Sequence, residues 1–130
     1  MTDFELINKA KDAMKFSYSP YSGFKVGSAL ICKNGKVFTG VNIENASFSA
    51  TNCAERTAFF KAISEGEKDF CKIAVVGGKG GKITDFCPPC GVCRQVMAQF
   101  CEKDFEILLF NGEIIKKYTL EEILPVSFKM

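Results

Sequence analysis

Histidine is absent from this 130-residue chain, and so is tryptophan. Without imidazole, the Ser-His-Asp and Cys-His mechanisms and all mixed Cys/His metal sites are excluded. Arginine is nearly absent too: of 17 basic residues, all but Arg56 and Arg94 are lysine. Charge is not concentrated anywhere. Seventeen basic against 15 acidic residues leave a net charge of +2, and no run of like charge exceeds a pair, so neither a nucleic-acid-wrapping surface nor an acidic tail is indicated. No apolar stretch approaches the ~18 residues of a membrane span. The opening Met-Thr-Asp-Phe-Glu lacks the basic-then-apolar order of an export signal. These absences predict a soluble, cytoplasmic protein. The length predicts one domain over residues 1–130, able to bury roughly two-thirds of its unfolded surface.

Cysteine, by contrast, is plentiful. There are seven: Cys32, Cys53, Cys71, Cys87, Cys90, Cys93 and Cys101. An odd number without an export signal argues against a disulfide framework and for thiols, metal ligands or core packing. Cys32, Cys71 and Cys101 lie in apolar patterns and are expected in the core.

Helical spacing of Phe4, Leu6, Ile7, Ala10, Ala13 and Met14 predicts a helix over Asp3–Phe16, capped by Thr2 or Asp3. Val26–Cys32 and Lys36–Val41 read as a hairpin around Asn34-Gly35. A second helix is expected at about Cys53–Glu65, and a strand at Lys72–Val76. Gly77–Pro89 reads as a loop, and its glycine run matches no phosphate-binding motif. Gly91–Cys101 reads as a third helix, Glu106–Phe110 and Ile114–Lys116 as a hairpin, and Leu120–Leu124 as a short helix. This order predicts an α/β fold with one mixed sheet of about five strands and helices on both faces.

The chemistry concentrates in Thr51-Asn52-Cys53-Ala54-Glu55-Arg56 and Pro88-Pro89-Cys90-Gly91-Val92-Cys93-Arg94-Gln95. Cys90 and Cys93 are spaced to chelate one ion from the first turn of a helix, and Cys53 opens another. Three thiolates leave one vertex of a tetrahedral zinc open, the arrangement of a catalytic site. Helix N-termini favour thiolate over thiol. Zn²⁺ with three thiolates carries a formal charge of −1, which opposes ionising water. Arg56 is placed to donate to the sulfurs and offset that charge, and Glu55 to accept a proton. Plainer alternatives stay open on these residues: Asn52-x-x-Glu55 also matches a capping box, and Cys87-Pro88-Pro89-Cys90 is itself a C-x-x-C redox pattern. A structural zinc module would require a fourth ligand, for which Cys87 is the nearby candidate.

Cys53-Ala54-Glu55 with Pro89-Cys90-x-x-Cys93 resembles the zinc-deaminase signature. More narrowly, the chain resembles the small homotetrameric cytidine deaminases. The likeness runs through Tyr18–Ser22, Phe24–Ala29, Gly40–Ser47, Asn52–Ala58, Pro89–Val96 and Leu124-Pro125-x-x-Phe128. The resemblance implies a three-layer α/β/α fold, one zinc per chain and hydrolytic deamination of cytidine and deoxycytidine to uridine and deoxyuridine. It also implies a homotetramer whose pockets are completed by neighbouring subunits. Cys53, Cys90 and Cys93 would hold zinc, and Glu55 would shuttle protons. Asn42 and Glu44 would bind the ribose, Phe24 would pack on the pyrimidine, and the Ala54 N–H would hold the base carbonyl. Phe128 would close a neighbour's pocket. Two positions depart from the family pattern: Phe48 replaces a common tyrosine, and Pro88 a small hydroxyl residue. A deaminase of another aminated pyrimidine nucleoside is the closest alternative.

Overall fold

A capping box starts the first helix of the computed structural model, which describes residues 1–130. The Thr2 hydroxyl accepts from the Glu5 N–H at 3.1 Å, and the Glu5 carboxylate accepts from the Thr2 N–H at 2.9 Å. The helix, α1, spans Asp3–Ala13 and buries Leu6, Ile7, Ala10 and Ala13. Its tail tightens into a 3₁₀ turn at Met14–Phe16, shortening the expected helix by three residues. Strands β1 (Phe24–Cys32) and β2 (Val37–Val41) form the expected hairpin. Gly35 at the turn has φ +90°, a backbone that asparagine followed by glycine supplies readily.

The remaining elements are α2 (Ala54–Ser64), β3 (Phe70–Lys79), α3 (Gly91–Phe100), β4 (Glu106–Phe110), β5 (Ile115–Thr119) and α4 (Leu120–Ile123). The five strands lie in the order β2-β1-β3-β4-β5. Only β3 and β4 are parallel; every other pair is antiparallel. The parallel pair is connected through α3, as a crossover requires.

Strand alternation divides the core in two. Ala29, Ala74, Val76, Leu108 and Phe110 face α1, where Leu6, Ile7, Ala10 and Met14 meet them. Leu30, Ile73, Val75, Ile107 and Leu109 face the opposite side, against Ala58, Phe59 and Ala62 of α2 and Met97 of α3. Neighbouring residues of one strand thus serve different layers, as a two-residue period dictates. The result is the expected three-layer α/β/α sandwich. Phe59, fully buried, meets Phe70 edge-on with centroids 5.1 Å apart.

Two expectations are corrected. Strand β3 runs on through Gly77, Gly78 and Lys79, pairing with Val26, Lys25 and Phe24 of β1. The glycines there serve close packing rather than flexibility: a Cβ on Gly78 would lie 1.8 Å from the Lys82 carbonyl oxygen. Cys32 and Cys101 are buried as expected, but Cys71 is exposed. It follows buried Phe70 at the start of β3, and alternation turns it outward.

Candidate metal centre and active site

Both β2→α2 and β3→α3 connections end on a cysteine at a helix N-cap. Cys53 caps α2 and Cys90 caps α3, and neither side chain makes a capping hydrogen bond to its helix's backbone. The thiols are therefore free to face each other, beside two positive helix ends. Cys93, one turn into α3, supplies the third sulfur. The Cys53 and Cys90 Sγ atoms are 3.7 Å apart, and those of Cys90 and Cys93 are 3.6 Å apart. All three sulfurs lie within 4.8 Å of one another.

This spacing fits a metal. Sulfurs bound to zinc at ~2.3 Å on the vertices of a tetrahedron lie ~3.8 Å apart, close to the two edges observed. Neither Cys87 nor Glu55 belongs to the three-sulfur group. The group thus offers three sulfurs, one ligand fewer than the closed set of a structural zinc module.

Arg56 donates from Nη2 to Cys53 Sγ at 3.3 Å, as its place one turn after Cys53 predicts. Its Nε is buried without a partner, so the guanidinium brings more donor capacity than one sulfur uses. The Cys53 thiol is drawn down to about 5, chiefly by the hydrogen bond from Cys93 and, against burial, by Arg56 and Cys90. Cys93 moves the opposite way, because it holds the proton it donates to Cys53 and is itself buried.

Glu55 is 4% exposed. Burial pushes its carboxyl up to about 7, a rise that nearby Cys53 reinforces. The capping-box alternative is overturned. The N-cap is Cys53, the Asn52 N–H donates to the Ile43 carbonyl at 2.9 Å, and the Asn52 amide donates to Thr57 Oγ1 at 3.1 Å.

The expected ribose-binding pair lies on the next stretch of chain. Asn42 Oδ1 accepts from the Val26 N–H at 2.9 Å and from the Ser17 hydroxyl, while its Nδ2 donates to the Phe24 carbonyl at 2.8 Å. Glu44 Oε1 accepts from the N–H groups of Tyr21 and Ser22 at 2.9 and 3.1 Å, and Oε2 from the Ser22 hydroxyl. These contacts hold the Ser17–Phe24 segment over the end of β2. Glu44 also lines a cleft of about 390 Å³ with Tyr21, Ser22, Asn45, Phe48 and Thr51. Phe24 is 39% exposed and Phe48 82%. A Cβ on Gly77 would meet both Cys87 Sγ (2.8 Å) and the Phe24 ring (2.9 Å), so Gly77 lets these two side chains converge. Desolvation pushes the half-buried Cys87 thiol up to about 12, unlike a reactive redox cysteine, whose thiol is drawn down. Phe128 belongs neither to the sulfur group nor to the lining of the Glu44 cleft; it stands 69% exposed on the C-terminal segment.

Sequence reasoning missed the residues that seat α2. Fully buried Ser28 donates from Oγ to the Ala54 carbonyl at 2.8 Å. Gly40 leaves room for that same carbonyl, since a Cβ there would sit 2.3 Å from it. A small hydroxyl amid the apolar residues of β1 was the available signal. Arg94 does not reach the sulfurs at all: Nε donates to the Pro89 carbonyl and Nη1 to that of Ile123, both at 2.8 Å.

The family profile described as "Cytidine and deoxycytidylate deaminase zinc-binding region" matches residues 1–109. The chain belongs to this family. It is 50% identical over 125 residues to a cytidine deaminase of Halalkalibacterium halodurans, covering 95% of this chain and 91% of that protein. It is 45% identical over 126 residues to one from Sporosarcina psychrophila, covering 95% and 89% respectively. The 1.6 Å crystal structure of cytidine deaminase from Burkholderia pseudomallei superposes with a TM-score of 0.91 at 44% identity, covering 98% of this chain and all of that one. The matched zinc-binding region contains the three-sulfur group, which is positioned to hold a metal ion, with the buried Glu55 nearby.

Proposed function

We propose that this chain is a zinc-dependent hydrolase converting cytidine and deoxycytidine to uridine and deoxyuridine with release of ammonia. The observation that carries this reading is a set of three sulfurs at tetrahedral spacing, without a fourth protein ligand, beside a buried carboxylate. Bound by Cys53, Cys90 and Cys93, zinc supplies the Lewis acidity that lets water lose a proton near neutral pH. The protein's residues do the rest. Glu55 takes the proton from the attacking water and delivers it to N3 of the pyrimidine as the water oxygen joins C4. A second transfer through Glu55 protonates the exocyclic amine, which leaves as ammonia, so cytidine and water balance uridine and ammonia.

Phe24 packs on the pyrimidine ring, and the N–H of Ala54, first in α2, holds the base carbonyl. Asn42 and Glu44 bind the ribose. In Asn42 the second N–H of Nδ2 serves this purpose, since the first is spent on Phe24. Residues 1–130 act as one catalytic domain in the cytoplasm; no helix is long and apolar enough to cross a membrane. The working form is a homotetramer in which Phe128 closes a neighbour's pocket. Its exposed ring, and those of Phe48 and Tyr21 near the Glu44 cleft, support this assembly.

Replacing Glu55 by glutamine keeps size and burial but removes the proton carrier. Glu55→Gln is expected to retain zinc and the thermal midpoint while losing at least the ~10²–10⁴-fold of one acid–base step, read by the ultraviolet change on cytidine loss. Retention of more than a tenth of turnover would remove Glu55 from this role.

A further inference from the structure

The C-terminal segment, residues 125–130, has neither regular structure nor burial: every residue in it is exposed. Val126 stands in the left-handed region at φ +52°, a conformation that a β-branched residue adopts only at a cost. The course of this segment is therefore not the one a free chain would choose. Beyond Leu124, a single hydrogen bond reaches it: Gln95 Nε2 donates to the Phe128 carbonyl at 2.8 Å. Gln95 lies on α3, two residues after the metal ligand Cys93. The preceding residue, Arg94, joins the Pro89 carbonyl, directly before Cys90, to the Ile123 carbonyl at the end of α4. Two consecutive side chains of α3 thus hold the C-terminal part of the chain, Arg94 at the end of α4 and Gln95 at Phe128.

We infer that Gln95 is a positioning residue for substrate binding, acting through Phe128. This inference rests on the reading that Phe128 closes a nucleoside pocket. The amide anchors the backbone at Phe128 to α3, so the residue that carries the exposed ring is tethered rather than free. The effect belongs in substrate affinity: Phe128 touches no reacting atom, so an unfastened ring costs ordering on binding rather than chemistry.

The test uses Gln95→Glu, which keeps the side-chain size but offers no donor, together with Phe128→Ala and the double variant. Steady-state kinetics on cytidine, zinc content and backbone order parameters of residues 126–130 are measured for each. Phe128→Ala is expected to raise KM about tenfold, as loss of an aromatic stacking partner does. Gln95→Glu is expected to raise KM about fivefold, the worth of one hydrogen bond, with kcat and zinc unchanged and order parameters falling below ~0.6. In the Phe128→Ala background, Gln95→Glu should add nothing, because both changes act through one ring. A KM increase in Phe128→Ala with none in Gln95→Glu would overturn the positioning role while leaving the reading of Phe128 intact. No KM change in Phe128→Ala would remove that reading, and the inference with it. Lower zinc content in Gln95→Glu, or an equal further loss in the double variant, would make Gln95 a support of the metal loop instead and so overturn the inference.

Discussion

Thiolate is an awkward ligand for a metal that has to acidify water, because each sulfur pushes negative charge onto the ion. We propose that Arg56 answers this: its guanidinium lies 3.3 Å from Cys53 Sγ with a further buried N–H to spare. A positive group there withdraws charge from the sulfur and favours the deprotonated ligand that metal binding requires. Removing it leaves three thiolates without compensation. Arg56→Ala is therefore expected to weaken zinc binding about 10–100-fold, the usual cost of losing an outer partner of a metal ligand, measured by competition with a chromogenic chelator. Unchanged zinc affinity and turnover would place the charge compensation elsewhere. At this scale the sequence was informative but incomplete. The spacing of Cys53, Glu55 and Arg56 pointed to a residue of the sulfur cluster, a buried acid and the guanidinium that touches Cys53. Local pattern could not decide between a catalytic and a capping Glu55. The capping alternative is excluded by Thr57 and Ile43, which occupy the amide and N–H of Asn52.

Elements, rather than single residues, bring the site together. The start of α2 is pressed against the β1–β2 hairpin: the Ser28 hydroxyl fastens the Ala54 carbonyl, and Gly40 passes beneath it without a side chain. A methyl group at position 40 would lie 2.3 Å from that carbonyl and 2.6 Å from the Ala58 nitrogen. Both are backbone atoms, so the helix itself must move. Gly40→Ala is expected to cost about 1–3 kcal/mol in denaturant unfolding, the range of an overpacked core. Turnover should fall as well, because Cys53, Ala54 and Glu55 ride on the displaced turn. Wild-type stability together with wild-type turnover would show that α2 is not seated by this contact. The element order and the hairpin at Asn34-Gly35 were legible because their signals are local: helical spacing, caps and turn residues. The extension of β3 through Gly77–Lys79 was not. A glycine run reads as a flexible loop until the Lys82 backbone and the Cys87 and Phe24 side chains occupy the space a Cβ would need. Cys71 was misjudged for a related reason, since its outward face is fixed by strand register and not by the apolar company it keeps.

For the molecule as a whole, the sandwich works as a jig. Helix α1 covers one face of the sheet, and α2 and α3 start side by side on the other, so residues 53 and 90, far apart in sequence, meet as paired N-caps. The geometry that results is an incomplete tetrahedron of sulfur, and the catalytic reading depends on that incompleteness. Zinc K-edge X-ray absorption of the metal-loaded protein without substrate counts the ligands directly. An open centre gives three sulfurs at about 2.3 Å and one oxygen or nitrogen scatterer at about 2.0 Å. A shell of four sulfurs, with Cys87 recruited to close the site, would contradict it.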